Sequence, residues 1–149
     1  MATAEKFEEL EVWQNARKLT NMVYDLSDEG QFARDFALRD QIRRAAVSVM
    51  SNVAEGFESQ SDQNFARYLS LAKASSGEVR SQAYIALDRK YISSTQFNEL
   101  HILASLCSKQ LARLIGYLHG NSQPRKVREE SDGYLVEPRT FDLETWDPE

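Results

Sequence analysis

Two histidines, one cysteine and scattered carboxylates are the side chains in this sequence that could ligate a metal or move a proton. His101 and His119 lie five helical turns apart, so on a helix they share a face at a separation of about 27 Å and cannot hold one ion. A di-iron centre in a helical bundle needs a Glu three residues before each ligating His. Asn98 and Gly116 stand at those places, so neither a metal site nor any other cofactor is expected. Cys107 falls within a stripe of Leu103, Ala104, Leu111 and Leu114. A thiol there packs as a small hydrophobe, and no histidine sits one turn away to activate it. The sequence has no glycine loop of the Walker or dinucleotide kind. The acids stand mostly at helix starts or one turn from a base, as in Asp35 with Arg39 and Asp40 with Arg44. No general acid–base pair or activated nucleophile assembles, so a non-enzymatic protein is expected.

The cations suggest other chemistry. Arg34, Arg39, Arg43 and Arg44 crowd one segment against Asp35 and Asp40 alone. Lys73 and Arg80, seven residues apart, share a helical stripe, and neither they nor Arg67 and Arg89 have an acid three or four positions away. Cations without local acids suit phosphates, giving sequence-independent, salt-sensitive binding. Arg39, Arg43, Arg44, Arg67, Lys73 and Arg80 are therefore the expected nucleic-acid contacts. The competing reading is a solvated face, or ion pairs to the acids of the first helix within the chain or across a subunit contact. The paired aromatic boxes of RNA-reading sheets do not occur.

Net charge is −5 over 149 residues, but its distribution is uneven. Residues 1–29 carry a net −4, residues 30–120 a net +3 and residues 121–149 a net −4. A mildly basic middle thus lies between two acidic ends. At 42% hydrophobic and 28% charged the composition is that of one globular domain. The lone cysteine excludes a disulfide framework. No run of 18 apolar residues offers a membrane span, and the N-terminus has no secretory pattern, so a cytoplasmic protein without a membrane partner is expected.

Four segments with helical period must position these groups. The first places Val12, Trp13, Ala16, Leu19, Val23 and Leu26 on one face and stops at Gly30. The second repeats Leu38, Ile42, Ala45, Val49 and Val53 and stops at Gly56. The third opens at an N-cap, Ser61, and carries Phe65, Tyr68, Leu69, Ala72, Ser76, Val79, Ala83, Ala86 and Leu87. The fourth starts after Ser93-Ser94-Thr95 and places Phe97, Leu100, Leu103, Ala104, Cys107, Leu111, Leu114, Ile115 and Leu118 on one face, with Gly120 beyond its end. Short connections favour an all-α, antiparallel up-down-up-down four-helix bundle over residues 1–120. Small residues on the third stripe, Ala72, Ser76 and Ala83, should admit a neighbouring helix closely. Residues 121–149 lose the period and are expected to form a flexible acidic C-terminal tail. Within it Tyr134, Phe141 and Trp146 alternate with acids, which suits a docking peptide or a poorly ordered terminus.

Some apolar residues lie off the core stripes. Ile102, Leu106 and Tyr117 point away from the core of the fourth helix, and Leu71, Ile85 and Met50 leave the core arcs of the third and second. A lone bundle buries one face per helix, so a homo-oligomer is expected. The alternative function is a protein–protein scaffold recruiting a partner through these stripes and the aromatic tail.

Three stretches taken together resemble a known family. They are Phe7-Glu8-Glu9-Leu10-Glu11-Val12-Trp13-Gln14, then Leu38 to Ser48 (LRDQIRRAAVS), then Ser51-Asn52-Val53-Ala54-Glu55-Gly56-Phe57. With Phe65-x-x-Tyr68-Leu69-x-x-Ala72 and Ala74-Ser75-Ser76-Gly77-Glu78, they resemble four-helix-bundle proteins encoded in intervening sequences of bacterial 23S ribosomal RNA genes. The resemblance spans residues 7–119 and implies a cytoplasmic homopentamer. A related branch, the accessory variability proteins of diversity-generating retroelements, binds nucleic acid and partners a reverse transcriptase. Many members have proline where this chain has Met50. Asn52 and Glu55 lie in the matched motif, where a polar group at the core's edge suits helix register or a subunit contact better than catalysis.

Overall fold

The fold is taken from a computed structural model that describes residues 4–122. A single turn of 3-10 helix, Phe7–Glu9, leads into α1 (Glu11–Ser27), followed by α2 (Gly30–Arg34), α3 (Phe36–Glu58), α4 (Asp62–Asp88) and α5 (Ser94–Ser122). The four long helices carry the four stripes. No strand occurs among the described residues. The tail residues Tyr134, Phe141 and Trp146 lie outside them.

Helix starts are fixed by side chains that accept the free N–H groups of the first turn. Ser61 Oγ accepts from Asn64 N at 3.2 Å, as its sequence position predicts. At α5 the cap is reciprocal: Ser93 Oγ accepts from Gln96 N at 3.1 Å while Gln96 Oε1 accepts from Ser93 N at 2.9 Å. Asp35 caps α3, with Oδ1 accepting from Leu38 N at 3.1 Å. Its other oxygen accepts from the Tyr91 hydroxyl at 2.9 Å, which ties the α4–α5 connection to the start of α3. Asp35 therefore caps a helix and does not form the expected pair with Arg39.

Three other expectations change. Gly30 has φ +57°, the left-handed conformation expected of it, but it opens a fifth helix instead of only closing the first. That short helix buries Phe32, which stacks on Tyr91 at 5.5 Å and plugs one end of the bundle. Gly56 does not stop its helix, because α3 continues to Glu58. A Cβ on Gly56 would come within 2.7 Å of Tyr68 Cβ and 3.2 Å of Phe65 O, so this glycine sits where α3 and α4 approach too closely for any side chain. Likewise α5 runs through Gly120 to Ser122. At Met50 the helix is uninterrupted.

Side-chain contacts establish the antiparallel packing. Along α1 and α3, Thr20 meets Ala46 and Ser27 meets Arg43, one number rising as the other falls. The same holds for Gln41 with Gln82 and Ser48 with Ser75 across α3 and α4, and for Tyr84 with Phe97 and Ser76 with Ser108 across α4 and α5. Each of α1 and α4 packs against both α3 and α5, so the long helices form a square. Leu19, Ile42, Val49, Leu69, Val79, Leu100 and Leu111 fill its centre. Buried hydroxyls let the helices approach: Ser76 Oγ donates to Ala104 O at 2.7 Å, and Thr20 Oγ1 lies within 2.8 Å of Ala16 O and 3.1 Å of Ala46 O. Ala72, Ser76 and Ala83 are all fully buried, as the small stripe on α4 requires.

Candidate functional site

The first turns of α3 direct two of the six expected phosphate ligands inward. Arg39 lies 4.7 Å over the Phe36 ring and donates to Asp40 Oδ1 and to Ala33 O, both at 3.0 Å, clamping the turn between α2 and α3. Arg43 Nε donates to Ser27 Oγ at 2.7 Å, its guanidinium stands 4.5 Å over the Tyr24 ring, and Asp28 Oδ1 is 3.8 Å away. Both groups join α3 to the elements before it. Arg44 is exposed and, among the described residues, has no carboxylate within 4.0 Å, so its expected pair with Asp40 does not form. Asp40 pairs with Arg39 instead because the adjacent guanidinium is already held by Ala33 O.

The cations of α4 are placed differently. Arg67 is exposed, 4.8 Å over the Tyr68 ring. Lys73 and Arg80 are half-buried on the ridge that faces α5. Arg80 has no carboxylate within 4.0 Å among the described residues, and its solvent-shielded Nε has no hydrogen-bond partner. It stands beside His101 of α5. Burial first, and then the Arg80 charge, hold His101 below the usual imidazole range. Arg39 and Arg43 thus face α1 and α2 while Arg80 faces α5, so the six residues do not form one patch.

Sequence reasoning missed a cluster of rings next to Arg80. Tyr84 packs 4.8 Å from Phe97 and 6.0 Å from His101, and Phe97 lies 5.4 Å from His101. The available signal was two spacings of four, Arg80 to Tyr84 and Phe97 to His101. Only the packing of α4 on α5 brings the two pairs together.

Five of the outer apolar residues are where their helical phase predicts, whereas Met50 is half-buried and packs against the core. Leu71, Ile85, Ile102, Leu106 and Tyr117 are all exposed. Asn52 Nδ2 donates to both Ser48 O and Ser48 Oγ at 2.9 Å, and Ser75 Oγ donates to Ser48 Oγ at 2.9 Å. These hydrogen bonds run from Asn52 through Ser48 to Ser75 and so link α3 to α4 within the subunit. Glu55 is exposed. Burial pushes the Cys107 thiol up to about 11, which keeps it protonated and inert at neutral pH. Among the described residues no three His, Cys, Asp or Glu side chains cluster to hold a metal, and no helix is long and apolar enough to cross a membrane.

Comparison with known proteins fits this architecture. The family model described as 23S rRNA-intervening sequence protein matches residues 8–113. A solved structure of a protein with unknown function from the S23 ribosomal protein family of Bacteroides thetaiotaomicron is similar in fold, with a TM-score of 0.65 at 20% identity. The match covers 70% of this chain and 97% of that one. No curated protein matches the chain.

Proposed function

The chain belongs to the 23S rRNA-intervening sequence protein family, and from that premise we propose that it is a non-enzymatic, self-associating helical bundle that binds nucleic acid through cations of α3 and α4. The observation that carries this reading is the state of Arg44, Arg67 and Arg80. None has a carboxylate within 4.0 Å among the described residues, so each can neutralise a phosphate without first giving up an ion pair. Arg39 and Arg43 hold the fold first, and Lys73 shares a helical stripe with Arg80. Nothing in the family description names an enzymatic activity.

A salt titration tests the proposal. The full chain with a labelled RNA should lose affinity linearly in log–log salt, at a slope of roughly 0.7 per neutralised single-strand phosphate. Replacing Arg44, Arg67 and Arg80 together by Gln should weaken binding and flatten that slope. An affinity indifferent to both salt and substitution overturns the proposal.

A second reading is supported by Leu71, Ile85, Ile102, Leu106 and Tyr117, exposed apolar residues of α4 and α5 that suit a scaffold docking another protein or further copies of itself. Leu106→Glu with Ile102→Glu should then dissolve the assembly in sedimentation while leaving the helical content unchanged. Pairing both with the arginine variants separates the readings, since a scaffold keeps its partner when the cations are neutralised.

A further inference from the structure

We propose that the groove between α4 and α5 is a stacking site for unpaired nucleobases, with Tyr84 as the platform, Phe97 and His101 as its support and Arg80 as the phosphate contact. The proposal rests on the nucleic-acid reading above and names the class of ligand, single-stranded nucleic acid.

Three rings from two helices converge here within 6.0 Å of one another, yet they differ in exposure. Phe97 is buried, whereas Tyr84 is 50% exposed. A ring braced by two others and still half open to solvent presents a fixed apolar surface, the kind on which a base of any sequence stacks. His101 is held neutral near pH 7 by burial and by Arg80, so it supports Tyr84 without repelling the guanidinium beside it.

The charge lies one turn away. Lys73, Gly77, Arg80 and Tyr84 follow one another at spacings of four, three and four, so all lie on the ridge of α4 that faces α5. Gly77 leaves that ridge without a side chain between the two cations, and a Cβ there would meet Arg80 Nη2 at 3.9 Å. A backbone phosphate can therefore reach the guanidinium from the Gly77 side while its base covers Tyr84. Bases in a duplex show only their edges, so the site discriminates against paired strands.

The test uses the full 149-residue chain and fluorescence anisotropy at low salt. The probes are labelled oligo(dT), labelled oligo(U) and a duplex of equal length. Both single strands should bind more tightly than the duplex; a difference between the two would tell DNA preference from RNA preference at the same site. Tyr84→Phe keeps the ring and should hold affinity within about twofold, whereas Tyr84→Leu should weaken it roughly tenfold. Gly77→Glu gives a second measurement, because it suits the helix and places a carboxylate beside Arg80; it too should weaken binding roughly tenfold. Equal binding by wild type, Tyr84→Leu and Gly77→Glu overturns the stacking site and leaves the nucleic-acid reading standing, as does a duplex bound as tightly as the single strands. A wild-type chain that binds none of the probes overturns both.

Discussion

The α1–α2–α3 corner and the α4–α5 groove both set arginines near aromatic rings, yet they treat the charge in opposite ways. In the corner, Arg39 and Arg43 find oxygen acceptors, Ala33 O, Asp40 Oδ1 and Ser27 Oγ, and their rings lie under guanidinia that are already satisfied. In the groove, Arg80 leaves Nε without an acceptor among the described residues and stands near His101. A guanidinium held by acceptors adds stability, while one with no carboxylate nearby can meet an external anion without giving up an ion pair. The difference teaches that an arginine's role follows from the acceptors its neighbours supply and not from its local spacing to acids.

The comparison can be broken most severely at Asp35, which serves the corner twice. Asp35→Ala removes the α3 cap and leaves the Tyr91 hydroxyl without its acceptor, and is expected to cost about 2–3 kcal/mol of unfolding free energy in urea titrations. A loss below half of that would show that the corner does not depend on it. Arg43→Ala comes next, at about 1–2 kcal/mol, since a charged hydrogen bond and a ring contact both go. The matching change in the groove, Arg80→Gln, should alter stability by under about 0.5 kcal/mol while reducing nucleic-acid affinity. Should thermal melts show Arg80→Gln as damaging as Arg43→Ala, the distinction between the two regions fails.

A pH series sharpens the contrast further. His101 has its folded pKa below the unfolded 6.5, so the unfolded chain takes up the proton more readily. Stability should be level above about pH 6.5, fall as the pH drops from there toward the lower folded value, and level again below it. His101→Gln should remove that segment of the profile, and a slope unchanged by the substitution would assign it to other groups. The smallest effect expected is from the acidic tail. Because residues 121–149 carry a net −4, deleting them should tighten RNA binding a few-fold at low salt. Equal affinities of the two chains would remove the tail from the account.

Most of the scaffold could be read from the chain. Val12, Leu19, Ile42, Val49, Leu69, Val79, Leu100 and Leu111 were placed in the core by period alone, and all are buried. Ser61 was recognised as a cap by its type and place. Phe32 was missed because α2 has five residues, too few for a period, and its burial depends on Tyr91 nearly sixty positions on. Gly56 was read as a stop because glycine ends many helices; here it permits contact with Tyr68 instead, which no local pattern reveals. The candidate cations were visible as residues, but their division into two groups was not.

Four amphipathic helices, their order and their apolar faces follow from local patterns in the chain, because helical period and capping act over a few neighbouring residues. Only the tertiary structure decided that Arg43 reaches Ser27, that Asp35 takes Tyr91, and that Tyr84, Phe97 and His101 meet beside Arg80. Those partners lie on different helices. Which of them come within hydrogen-bond or ring-contact distance depends on how the helices pack, a property of the whole core that no single segment encodes.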